Sequence, residues 1–136
     1  MVQSTGPKKI KCAVFISGTG SNLKSLIQFS KKKNSPISIE LIISDNSKAK
    51  GLKFGKIFKI SSKVFDFNNK SFSEKKIIYE IKHKDIKLIC LAGFMRILSK
   101  DFIKNFKGKI LNIHPSLLHK NKGLNEHQRV LSNNEK

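Results

Sequence analysis

The run Leu111-Asn112-Ile113-His114-Pro115-Ser116-Leu117-Leu118 sets an amide and an imidazole two residues apart at the end of an apolar stretch. In extended backbone, residues i and i+2 point to the same side, so Asn112 and His114 can act on one atom. An Asn amide is a good donor to the oxyanion that forms when a nucleophile attacks a carbonyl. Histidine is the side chain best suited to exchange a proton near neutral pH. Pro115 fixes the backbone just beyond the pair. Together they form a candidate acyl-transfer site, with a satisfied loop histidine as the plain alternative. The other histidines, His83, His119 and His127, have no such setting and read as surface residues.

Gly18-Thr19-Gly20-Ser21-Asn22 follows an apolar run and opens a helical pattern. Its backbone N–H groups and the helix N-terminus would form an anion site, with a phosphate as the natural occupant. Asp45, just past the second apolar run, also invites a dinucleotide reading, but Leu23 stands where the third glycine of that fingerprint belongs. A purely structural turn is the third reading. No nucleophile of the Ser-His-Asp or Cys-His kind accompanies these residues.

The elements that must carry these groups alternate. Lys11 to Ile16 reads as a buried parallel strand. A helix follows, capped by Ser21 or Asn22, with Leu23, Leu26 and Ile27 at helical spacing and Lys31 to Lys33 at its close. Ile37 to Ile43 is a second strand, Ser47 opens a short helix to about Phe54, and Ser62 to Phe65 is a third strand. Ser71-Phe72-Ser73-Glu74 has capping-box spacing ahead of the stripe Ile77, Ile78 and Ile81. Lys87 to Ala92 is a strand ending at Gly93, Ser99 caps a helix bearing Phe102, Ile103 and Phe106, and Lys109 to Leu111 is the last strand. This alternation predicts an α/β fold, a Rossmann-like, open, mostly parallel sheet with flanking helices. Ligands of such sheets bind beyond the carboxyl ends of the strands, where the glycine turn, Gly93-Phe94-Met95-Arg96 and Asn112 to Leu118 all fall.

A length of 136 residues suits one domain, and 38% hydrophobic content is ordinary for a globular chain. Residues 1–10, polar and without the apolar stretch of a signal peptide, are expected to be a flexible extension, and 11–136 the domain proper. The net charge of +19 invites a polyanionic partner, yet of 28 basic residues only Arg96 and Arg129 are arginine, the side chain that reads bases and phosphates bidentately. Nucleic acid is therefore disfavoured against small anionic substrates. Cys12 and Cys90 sit within apolar runs and read as buried hydrophobes, which points to a reducing cytoplasmic setting. No run approaches the length of a membrane span, no metal-ligand cluster is evident, and oligomeric state is not legible.

Three blocks in order, Phe15 to Leu23, Leu91 to Leu98 and Leu111 to Leu118, resemble the phosphoribosylglycinamide formyltransferase family, folate-dependent enzymes of purine synthesis. The likeness runs from Lys11 to the C-terminus. It implies transfer of a formyl group from 10-formyltetrahydrofolate, a co-substrate, to the amine of 5-phosphoribosyl-glycinamide. It further implies that Gly20, Ser21 and Asn22 hold the substrate phosphate. Met95, Arg96, Ile97 and Leu98, with Asn112, would line the folate pocket, and Lys70 stands near a position where the family often has a folate-touching Arg. Asn112 matches the donor to the formyl oxygen and His114 the acid/base. The substrate amine itself attacks the formyl carbon in that mechanism, so no protein nucleophile is required. Two departures stand out: His119 and Asn121 replace a Pro and an aromatic of the family's loop, and the family's His-pairing Asp would lie beyond Lys136. Asp101 and Glu126, the nearest carboxylates, read as helix-surface or helix-start residues. The resemblance thus implies a C-terminally truncated domain, lacking its last strands and helices, with weak turnover or none by itself. The alternatives are formyltetrahydrofolate deformylase, methionyl-tRNA formyltransferase or a non-catalytic nucleotide-binding remnant.

Overall fold

A computed structural model describes residues 8–113. Five strands form one sheet: β1 (Ile10–Ile16), β2 (Ile37–Ser44), β3 (Ser61–Val64), β4 (Leu88–Leu91) and β5 (Lys109–Asn112). Every pairing is parallel, in the order β3-β2-β1-β4-β5. β1 takes in Ile10, the last residue of the expected extension, whose N–H donates to the Pro36 carbonyl at 2.8 Å. The helices are α1 (Ser21–Ser30), α2 (Lys53–Ile57), α3 (Lys70–His83) and α4 (Lys100–Asn105). Among the described residues no helix is long and apolar enough to cross a membrane.

The inner strands β1, β2 and β4 are buried on both faces because neighbouring positions deliver two apolar sets, whereas the edge strand β3 is exposed. Cys12, Val14 and Ile16 face α1, meeting Leu23, Leu26 and Ile27, while Ala13 and Phe15 face the other layer, meeting Ile77, Ile81 and Phe102. A register shift between Cys12 and Ala13 skips Glu40, so that Ile39 and Ile42 both reach the α1 side while Glu40 stays exposed. Cys12 and Cys90 are free and buried on neighbouring strands, their sulfurs 3.5 Å apart. The Cys90 contact, and then burial, push the Cys12 thiol far up from its ordinary range.

Local chemistry differs from expectation in three places. The helix expected from Ser47 begins as a 3₁₀ turn at Lys50–Leu52 and becomes α2 only at Lys53. The capping box at Ser71 does not form, because Asp66 receives the Asn68 N–H and starts a 3₁₀ turn that places Ser71 inside α3. Glu74 turns instead to Ser99. Finally, neither Ser21 nor Asn22 caps α1: Gly20 holds the N-cap in the left-handed region, φ 78°, and the serine and asparagine form the first turn. The Ser99 cap of α4 does form, accepting from Phe102 N–H at 3.0 Å.

Candidate functional site

The strand order reverses between β1 and β4, so the loops that follow them part at the switch point and leave a crevice. α1 packs on one face and α4 on the other. The glycine turn leaves β1 into α1. With Gly20 rather than a polar side chain at the cap, no side chain occupies the N–H groups of the first turn, and no acid sits there. Those donors point out of the helix at the positive end of its dipole. Asn22 is buried, and among the described residues its Oδ1 has no hydrogen-bond partner. A buried amide oxygen left unpaired costs about 1–3 kcal/mol, and as an acceptor it calls for a hydroxyl or N–H donor.

Gly51 is the residue the sequence reading missed. A Cβ on Gly20 would lie 2.5 Å from the Gly51 Cα, and one on Gly51 would lie 2.8 Å from the Gly20 Cα. Gly51 N–H also donates to the Gly18 carbonyl at 2.9 Å. The turn is thus backed by the 3₁₀ segment at van der Waals distance. A glycine within an expected helix was the available signal.

The loop after β4 forms the other wall. It opens at Gly93, φ 76°, and inserts Phe94 edge-on between Phe15 and Phe67, with centroids 5.3 and 5.4 Å away. Met95 N–H donates to Ser17 Oγ at 2.8 Å, and Arg96 Nε donates to Asp45 Oδ2 at 2.8 Å. A cleft of about 520 Å³ lies beneath, lined by Leu91, Phe94, Arg96, Leu98, Ile110 and Asn112 among others. Asn112 ends β5 beside Leu91 of β4.

The expected site residues therefore fall into groups. Gly20, Ser21 and Asn22 share the glycine turn. Arg96, Ile97, Leu98 and Asn112 line the one cleft. Met95 belongs to the same loop and is 78% exposed, Ile97 81%, so both present apolar surface to solvent. Lys70 opens α3 and lines a different cavity, of about 480 Å³, with Glu74, Ser99 and Phe102. His114, His119 and Asn121 lie outside the described residues. Asp45 is corrected: it is taken up by Ser17 and Arg96, which leaves the dinucleotide reading without its ribose acid.

Fold and site together define an α/β protein of the doubly wound type, with a glycine turn opening α1 and an apolar cleft flanking the switch point. The sequence model described as formyl transferase matches residues 10–136, and the chain belongs to that family. It is 44% identical over 126 residues to the trifunctional purine biosynthetic protein adenosine-3 of Gallus gallus, covering 90% of this chain and 13% of that protein. It is 41% identical over 124 residues to the phosphoribosylglycinamide formyltransferase of Haemophilus influenzae, covering 89% of this chain and 58% of that enzyme. The crystal structure of phosphoribosylglycinamide formyltransferase from Brucella melitensis superposes with a TM-score of 0.75 at 39% identity, over 93% of this chain and 67% of that one. The chain thus spans about three-fifths of the bacterial relative and a small part of the avian one.

Proposed function

We propose that this chain carries the substrate-binding and formyl-transfer residues for moving a formyl group from 10-formyltetrahydrofolate to the amine of 5-phosphoribosyl-glycinamide, a cytoplasmic reaction of purine synthesis between small molecules. One juxtaposition carries the assignment: a turn suited to a phosphate and an apolar cleft ending at an amide open on the same edge of the sheet. Gly20, Ser21 and Asn22 present the backbone donors of the first turn of α1 to a phosphate, while the buried Asn22 Oδ1, an acceptor, takes a hydroxyl or N–H donor of the same substrate. The cleft, with aromatic and aliphatic walls and a few polar groups, suits the flat heteroaromatic ring of a folate. Asn112, at the end of β5, donates to the formyl oxygen as negative charge builds there, while His114, two residues on, exchanges the proton of the attacking amine. Orientation of the amine against the formyl carbon supplies much of the remaining acceleration.

The test titrates the ribonucleotide and the formyl folate separately and then follows formylated ribonucleotide by mass spectrometry. Saturable binding of both ligands is expected, with Asn112→Ala and His114→Ala lowering any turnover by about a hundredfold or more. A chain that binds neither ligand sinks the assignment.

A further inference from the structure

The loop from Gly93 to Ser99 has neither helix nor strand, so its shape depends on what pins it. Phe94 pins it from within the core. On the outer side a closed circuit of hydrogen bonds pins it twice. Met95 N–H donates to Ser17 Oγ, Ser17 Oγ–H donates to Asp45 Oδ1 at 2.6 Å, and Arg96 Nε–H donates to Asp45 Oδ2. Asn46 Nδ2 reaches the Ser17 carbonyl at 3.4 Å. The Asp45 side chain is 6% exposed and Arg96 45% exposed, so the carboxylate forms the buried end of this circuit. Three loops, those after β1, β2 and β4, meet at this one carboxylate. Ser17 directly precedes the glycine turn, so the circuit also ties the two walls of the crevice together.

We propose that Asp45 is a positioning residue for the formyl-donor cleft: it holds Arg96 directly and Met95 through Ser17, and so sets the donor-facing loop before any ligand arrives. This rests on assigning the cleft to the formyl folate. A loop that visits its competent shape only part of the time weakens apparent affinity by that fraction. Hydrogen bonds to a buried charge are strong enough that losing them lowers the fraction about tenfold. The glycine turn keeps its own support from Gly51, so the phosphate side is spared.

Asp45→Asn keeps the shape but removes the charge: its amide oxygen still accepts from Arg96 Nε–H and its amide N–H donates to Ser17 Oγ, so both bonds lose the carboxylate's charge assistance and the direction of the Ser17 bond is reversed. On the full chain, its Kd for 10-formyltetrahydrofolate should rise about tenfold, with the ribonucleotide Kd within about twofold of the parent. Arg96→Gln, a change at the half-exposed end of the circuit, provides the second arm. If Asp45 acts through Arg96, adding Asp45→Asn to Arg96→Gln costs much less than it does alone. Amide exchange at Met95 needs no ligand and should be faster in Asp45→Asn. Unchanged folate affinity, or fully additive losses in the double variant, overturns the proposal. If the parent chain binds no folate, the assignment of the cleft fails, and Met95 exchange still decides whether Asp45 orders the loop: unchanged exchange overturns that ordering too.

Discussion

At the scale of single residues, Asn22 is the most instructive. Its position after Gly20, in a glycine turn that opens a helix, was visible in the sequence. Its use as a cap was a wrong expectation, because a left-handed glycine turns the chain into α1 without a side-chain cap and sends the asparagine inward. A buried amide oxygen with no partner weakens the folded state, so its removal should be nearly free in stability while damaging a site it serves. Asn22→Ala is expected to change unfolding free energy by less than about 1 kcal/mol, the relief of an unpaired group offsetting a small cavity. Its Kd for 5-phosphoribosyl-glycinamide should rise about tenfold. Urea unfolding beside calorimetric titration separates the two effects; a large stability loss with unchanged affinity would assign Asn22 to the core alone. Gly20 behaves oppositely. Its positive φ and the Gly51 backbone 2.5 Å from any added Cβ make Gly20→Ala costly to the fold itself, by about 2 kcal/mol or more in the same unfolding experiment.

At the scale of elements, apolar periodicity was legible and polar partnership was not. The strands and the Ile77 and Ile81 stripe of α3 follow from patterns of one side-chain type along the chain. Glu74 does not, because its partner is 25 residues away: its carboxylate accepts from Ser99 N–H at 2.8 Å and from Ser99 Oγ–H at 2.5 Å, joining α3 to the start of α4. Local spacing suggested a capping box, and the tertiary contact prevailed, since a buried carboxylate needs strong donors and Ser99 supplies two. Glu74→Ala and Ser99→Ala should each cost about 2 kcal/mol. A double-mutant cycle in urea should give a coupling of about 1–3 kcal/mol, and additivity would mean that the two act independently. The β1–β4 pairing carries a further element-scale consequence. The Cys12 thiol is held far above its ordinary value of 9.0, so above that pH the unfolded chain releases a proton that the folded chain retains. Stability contributed by the neutral thiol is complete below pH 9.0 and is lost as pH rises past it, at up to about 1.4 kcal/mol per unit. Cys12→Val should flatten that alkaline loss relative to the parent in unfolding measured across the range; parallel pH profiles would argue against the linkage.

At the scale of the whole molecule, alternation of element types made the doubly wound sheet legible, while the strand order and the crevice at its reversal emerge only from tertiary packing. The charge is the remaining global property. A net charge of +19 is distributed over a chain in which three ion pairs occur among the described residues, so most lysines face one another through solvent. Such self-repulsion opposes compaction and is screened by salt, so Tm should rise with chloride concentration. Screening depends on ionic strength and not on the identity of the anion, whereas a site at the glycine turn would take phosphate specifically and add stabilisation by mass action. Chloride and phosphate compared at equal ionic strength therefore divide the two contributions. Phosphate should raise Tm further than chloride in the parent chain, and the excess should follow a saturable binding curve at millimolar phosphate while the shared rise follows ionic strength. Equal curves for the two anions in the parent would mean that the charge acts only as a diffuse field, with no phosphate-selective site at the turn.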